Sequence, residues 1–278
     1  GNDAFVATGA IILADGTTDI VLNGGAGTDT LTLTDTTVSL NDAHFTNISL
    51  MEGLTLQNTV GNTVITTGAA FNSSFANGST ITSGVIGTDD DIAINAGLST
   101  VDTTVLITAG TSQTGAATEV NVITTGSGAD TITYTDLGWV GVAGGNSGTF
   151  DIDTNAGNDT ITLTVGAIVT DNATGNITIT GGTGQDTITV THANAVDTVG
   201  VTGFIGFAFA AGDSNTVNYD TVTGFDVSTT LLVADQLDFE GTATIGAFTA
   251  NNDFGTIKSH SITDGLATFD DAASFVEA

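Results

Sequence analysis

Four glycine-rich turns in this chain end in an aspartate, and the same alternating apolar pattern follows each of them. They are Gly24-Gly25-Ala26-Gly27-Thr28-Asp29, Gly126-Ser127-Gly128-Ala129-Asp130, Asn155-Ala156-Gly157-Asn158-Asp159 and Gly181-Gly182-Thr183-Gly184-Gln185-Asp186. Small residues let main-chain carbonyls converge on a cation, and aspartate adds a hard anionic oxygen, which is the donor set calcium takes. The candidate metal positions are therefore Gly25, Gly27 and Asp29; Gly126, Gly128 and Asp130; Asn155, Gly157 and Asp159; and Gly182, Gly184 and Asp186. A plainer reading stands beside this one. Each aspartate can bond amides of its own turn, and each glycine can serve a tight turn at positive φ without any ion.

The charge balance favours a cation. The chain carries 31 acidic residues against Lys258 and no arginine, for a formal net charge of −30. Glu52, Glu119, Glu240 and Glu277 are its only glutamates. Short, turn-favouring aspartate suits ligands presented from loops, whereas a merely solubilising acidic chain draws heavily on glutamate. Asp89-Asp90-Asp91 is a further cluster; two carboxylates about 4 Å apart repel by roughly 4 kcal/mol at an effective dielectric near 20. A counter-cation or full solvation relieves that repulsion equally well.

The same composition excludes several function classes. With one basic side chain there is no footprint for nucleic acid or anionic lipid, and no cationic clamp for phosphoryl transfer. Cysteine is absent, so disulfides and thiolate sites are excluded. No apolar run reaches the 18 residues of a transmembrane helix. No amino-terminal signal peptide is recognisable, and Gly1-Asn2-Asp3-Ala4-Phe5-Val6 reads as the tail of another glycine-aspartate motif. Catalysis finds little support. His44, His192 and His260 have no ligand-spaced partner, and Gly212-Asp213-Ser214 and Gly145-Asn146-Ser147-Gly148 lack the companions of a triad. Trp139 reads as core rather than as a sugar platform. The chain is expected not to be an enzyme.

Strands must position the turns. Two residues after each motif aspartate stand Leu31, Ile132, Ile161 and Ile188, and four after it Leu33, Tyr134, Leu163 and Val190. Seven before lie Leu22, Ile123, Ile152 and Ile179, and nine before Ile20, Asn121, Phe150 and Ile177. This is a period of two on both sides of the turn, with threonine at most intervening positions: strands with one buried face. The last three motif aspartates are 29 and 27 residues apart, a spacing that suggests stacked β-coils. Weaker echoes stand at Val60-Gly61-Asn62-Thr63-Val64-Ile65 and Gly87-Thr88-Asp89-Asp90-Asp91-Ile92-Ala93-Ile94. Only Asn41 to Phe45 and Phe269 to Glu277 suggest short helices. The predicted fold is all-β: an elongated solenoid-like body over 1–202, and a phenylalanine-rich, β-rich cap over 203–278.

The turn-strand units resemble the repeats-in-toxin nonapeptide, Gly-Gly-x-Gly-x-Asp-x-apolar-x, of type I-secreted bacterial proteins. The copies beginning at Gly24 and Gly181 match every specified position; the copy ending at Asp130 has Thr125 for the first glycine, and that ending at Asp159 has Thr154 and Asn155 for both. In that family the nonapeptides run in tandem and share calcium between turns, while here they are isolated. Further ligands would come from other loops, such as Asp35, Asp136 or Asp153. Asp220 to Phe239 resembles the segment that follows such repeats, and 269–277 the remnant of an export signal. The whole-chain composition is similar to that of type I-secreted surface-layer proteins. The resemblance implies a secreted, cell-surface structural subunit that calcium folds and assembles into a lattice or homo-oligomer, held to surface polysaccharide through regions outside this chain. A piece of a large adhesin and the calcium-binding tail of a secreted enzyme are the alternative implications.

Overall fold

The computed structural model describes residues 1–13, 20–57, 62–86, 92–109, 120–135, 147–165, 174–192, 202–210, 213, 219–225, 236–239, 243–244, 261–262 and 266–268. The chain is an all-β solenoid built on two nine-stranded sheets. The first sheet runs Ala4–Ala7, Thr30–Leu33, Gly53–Leu56, Ser79–Ile86, Thr103–Ala109, Thr131–Thr135, Thr160–Val165, Thr187–His192 and Thr221–Thr223. The second runs Val38–Leu40, Thr63–Thr66, Ile92–Asn95, Val120–Thr124, Ser147–Asp153, Thr174–Thr180, Thr202–Phe209, Gln236–Phe239 and Leu266–Thr268. Every pairing within them is parallel except the last, where Leu266–Thr268 lies antiparallel to Gln236–Phe239. The reversed strand ends the parallel pairing of the second sheet.

From Thr30–Leu33 to Gln236–Phe239 the chain alternates between the two large sheets, each coil contributing one strand to each. Alternation in sequence becomes alternation of face. In the first sheet Leu31, Leu54, Ile81, Val105, Ile132, Ile161 and Ile188 lie in one register and are buried. Opposite them the second sheet stacks Ile65, Ile94, Ile123, Ile152, Ile179 and Phe207, again in register and buried. Like therefore packs on like, and one continuous core runs between the sheets. Asn121 is the polar exception that the alternation reveals. It is buried, and its Oδ1 accepts the Ile92 N–H of the preceding coil at 2.9 Å, so its polarity is satisfied by a neighbour's backbone.

Three short helical pieces interrupt the early coils. Asn41 caps a 3₁₀ turn over Asp42–Phe45, within the expected segment. The helices Gly9–Ile12 and Ala69–Ser74 were not foreseen from the sequence. They are one to two turns long, too short to show a period of 3.6. Phe71 on the second helix, Phe75 at its C-cap and Phe45 on the 3₁₀ turn form a buried trio, with Phe45 edge-on to Phe71 at 5.0 Å and 86°. Asp42 fixes that arrangement by accepting the N–H groups of Ala70 and Phe71.

The two weaker echoes lead into strands of the second sheet. Thr63–Thr66 and Ile92–Asn95 align with the strands that precede a motif turn, not with those that follow one. The change in composition near Gly203 has no break in pairing beneath it: Thr202–Phe209 joins Thr174–Thr180 over seven residue pairs. Asp89 to Asp91, Asp136, Trp139, His260 and the helix expected over 269–277 lie outside the described residues. No helix among the described residues is long and apolar enough to cross a membrane.

The core column yields a stability prediction. Ile161 is fully buried between Ile132 and Ile188, so Ile161→Ala should cost about 2–5 kcal/mol. Urea unfolding followed by circular dichroism checks this; a loss below about 1 kcal/mol would place the site at a frayed edge instead.

Candidate calcium-binding aspartate ladder

All four motif turns enter the first sheet; those ending at Asp130, Asp159 and Asp186 come from the second sheet, and that ending at Asp29 follows Leu22–Asn23, which pairs with Ile48–Ser49 in a small sheet of its own. Strand register then fixes a single column at the start of the first-sheet strands, Ser79 and Thr103 as the first strand residue and the others directly before it: Asp3, Asp29, Glu52, Ser79, Thr103, Asp130, Asp159, Asp186 and Asp220. Asp29 is fully buried, and Asp130, Asp159 and Asp186 are each 1 % exposed.

The column is a ladder of directed hydrogen bonds. Asp29 Oδ1 accepts the Asp3 N–H at 2.6 Å, and Glu52 Oε2 accepts the Asp29 N–H at 2.7 Å. After the Ser79 and Thr103 interruption, Asp130 Oδ1 accepts the Thr103 N–H at 2.7 Å. Asp159 then accepts from Asp130, Asp186 from Asp159 and Asp220 from Asp186, at 2.7, 2.8 and 3.0 Å. Each carboxylate thus accepts from the equivalent amide of the coil before it. One position earlier the polarity reverses. Asn2, Asp102 and Asn158 accept the N–H groups of Thr28, Ala129 and Gln185 in the coil after.

The plainer reading of the aspartates therefore holds in an altered form: each bonds an amide of a neighbouring coil, and only Asp130 also bonds one of its own turn, that of Gly126. The glycines have a similar explanation. Gly157 and Gly184 lie at φ +148° and +149°, and a Cβ there would overlap the carbonyl of Gly128 or Gly157 in the preceding coil. Gly25, Gly27 and Gly182 also take positive φ, as does Asn155 at 60°, where asparagine is tolerated. Gly126 and Gly128 lie against the backbone of Ser99 and Val101. Positive φ accounts for Gly25, and close approach of another chain segment for the others, without any ion.

The second carboxylate oxygens are different. Oδ2 of Asp29, Asp159 and Asp186 is buried with no hydrogen-bond partner, whereas Oδ2 of Asp130 accepts the Gly126 N–H at 3.2 Å. Five residues before each aspartate the copies diverge. At Gly24 and Gly181 a Cβ would fall 2.7 and 2.5 Å from Oδ2 of Asp29 and Asp186, and at Gly24 also against the Leu50 carbonyl. Thr125 and Thr154 stand there in the other two copies, with hydroxyls that favour the charged forms of Asp130 and Asp159. The single proton of the Thr154 hydroxyl is directed to the Gly181 carbonyl at 2.8 Å, so Asp159 Oδ2 still lacks a donor.

An orphaned buried anionic oxygen beside a cradle that a Cβ would fill suits a hard cation, and Asp29 and Asp186 fit best. The remaining ligands would be main-chain carbonyls, because no three acidic or histidine side chains converge among the described residues. Asp35 and Asp153 are engaged elsewhere, accepting from the Gly9 and Asn155 N–H groups. His44 is a cap, its Nδ1 lying 3.1 Å from the Asn41 N–H that donates to it. Asp213, in the Gly212-Asp213-Ser214 block, accepts the Ala210 N–H and adds negative charge near Asp186 and Asp220.

Sequence reasoning missed Glu52 and set Asp220 apart from the motifs. Glu52-Gly53-Leu54-Thr55-Leu56 and Asp220-Thr221-Val222-Thr223 nonetheless carry the same signal, an acid two residues before an alternating strand. The chain matches no protein-family model, no curated protein and no solved structure.

Burial raises the pKa of Asp186 to about 7 and that of Asp159 to about 6; amide donors oppose the shift, and neighbouring ladder charges reinforce it. Burial also raises Asp130 and Asp220. A carboxyl whose folded pKa lies above its unfolded value contributes stability below the ordinary carboxylate range and loses it as pH rises through the folded value. In chelator, the thermal midpoint should therefore fall as pH rises through about 6 and about 7. Asp159→Asn plus Asp186→Asn keeps the amide acceptors and removes the charge, so its midpoint should vary less with pH. Equal slopes for the two proteins would show that these carboxyls titrate normally.

Proposed function

We propose that this chain is a structural subunit of a bacterial cell surface, folded by calcium after secretion and assembling with copies of itself into a lattice. The observation that carries the reading is the ladder: buried carboxylates, one per coil over consecutive coils, with orphaned oxygens beside Gly24 and Gly181. Neighbouring coils stand about 4.8 Å apart, so adjacent ionised rungs repel by roughly 3 kcal/mol at an effective dielectric near 20. Amide donors offset part of this repulsion, while burial, reinforced by the neighbouring charges, raises the pKa values of Asp159 and Asp186. Bound calcium would supply positive charge and coordination to the orphaned oxygens, with Asp29 and Asp186 as its first ligands.

The residues themselves do the rest. Without a cation, repulsion along the column and the net charge of −30 oppose close stacking, which keeps the chain expanded and fit for export. Cation binding outside the cell couples to coil closure and so to folding. A stack of like coils with no catalytic constellation in the described residues suits a scaffold. The composition, acidic and free of cysteine, supports the same reading.

The test is a calcium titration of the full chain, followed by circular dichroism and by negative-stain microscopy. Folding should require calcium, and ordered sheets should form only in its presence. Asp29→Asn plus Asp186→Asn should raise the calcium midpoint several-fold. An unchanged midpoint would remove these turns as sites, while compact single particles in calcium would replace the lattice by an adhesin segment or an enzyme tail.

A further inference from the structure

The outward positions of the first sheet form a lattice of their own. One rank runs from Thr30 through Thr131 and Thr160 to Thr221, and a second from Thr32 through Thr133 and Thr162 to Thr223. The only non-threonine positions are Ala4 and Gly53 in the first rank and Val6 and Leu106 in the second. Register is unbroken along both, and the threonines are half-exposed or exposed. Thr135, Thr164 and Thr191 begin a third rank.

Two contrasts set this face apart. A chain with a net charge of −30 carries no ionisable side chain in either rank. The outward positions of the second sheet, by contrast, include Val64, Ala93, Asn95, Asp151 and Asp153. A general preference of strands for β-branched residues acts on both sheets equally, so it does not explain a regular threonine array on one of them.

We propose that this threonine face binds ice. Hydroxyls and methyls repeat about every 4.8 Å across the strands and about every 6.7 Å along them, close to the oxygen repeats on the prism faces of ice. A surface periodic in two directions is complementary to a periodic solid, and an uncharged one to a neutral solid. Water ordered over the methyls and bonded to the hydroxyls joins the growing crystal. A polysaccharide would call for aromatic platforms, and neither rank contains an aromatic residue. This inference does not rest on the calcium ladder, which lies at the edge of the sheet.

The test grows ice slowly from a solution of the full chain in calcium-containing buffer and measures the fraction of protein taken into the ice. The wild-type chain should be incorporated. Thr133→Tyr plus Thr162→Tyr should be excluded like a non-binding protein, while Thr178→Tyr on the second sheet should behave as wild type. Circular dichroism checks that the variants fold; if the tyrosine pair does not, Thr133→Ser plus Thr162→Ser removes only methyls and should reduce uptake. Exclusion of the wild-type chain, or equal loss in the Thr178 variant, overturns the proposal. So do dimers that the tyrosine pair disperses without any uptake into ice, since they assign the face to a second copy.

Discussion

A carboxylate taken out of water must find donors or neutralise itself, and this solenoid sets that problem in nearly every coil. The solution is a hydrogen bond from the amide of the coil before, repeated through Asp130, Asp159, Asp186 and Asp220. The bond holds adjacent coils in register at the point where the chain crosses from the second sheet to the first. It also fixes where the following strand begins, so the inward set Ile132, Ile161 and Ile188 stacks without slipping a residue. A slip of one would turn threonine inward and isoleucine outward along a whole strand. The core therefore depends on the ladder as much as on its own apolar character.

Charge makes that arrangement conditional. Each rung holds one amide firmly but leaves a second oxygen to be dealt with, by an amide at Asp130 and by nothing at Asp29, Asp159 and Asp186. A proton or a cation completes those rungs. With calcium as the proposed cation, both would compete for the same oxygens, so acidity and calcium would oppose each other in occupancy while acting alike on stability. Gly24 and Gly181 lie so close to the carboxylates of Asp29 and Asp186 that a Cβ would meet Oδ2, whereas threonine stands at that position in the other two copies.

Much of this was legible in the sequence. The period of two around each turn gave the buried set, and the motif aspartates fall on one column. Less legible was the course of that column through the early coils, where Glu52, Ser79 and Thr103 stand in its register without a glycine-aspartate turn. A motif search weighs the turn, but register is set by the strand that follows it. For the same reason the aspartates before Ile92 suggest a ladder rung, although that strand belongs to the other sheet. The role of the glycines was also beyond sequence reasoning. Their need arises from carbonyls some 27 to 29 residues away, as Gly128 and Gly157 show against Gly157 and Gly184.

Because Asp130, Asp159 and Asp186 each offer the same acceptor to one neighbour and the same donor to the other, the coils that carry them are interchangeable storeys. Removing residues 130–158 as a block would bring Asp159 to the Thr103 amide that Asp130 now serves, and Ile161 to the place of Ile132 over Val105. The result is a shorter body with every seam intact. Insertion of a storey is equally silent to its surroundings. Length in such a molecule is free to change by whole coils through duplication or loss, while a change of a few residues within a coil breaks the column at once.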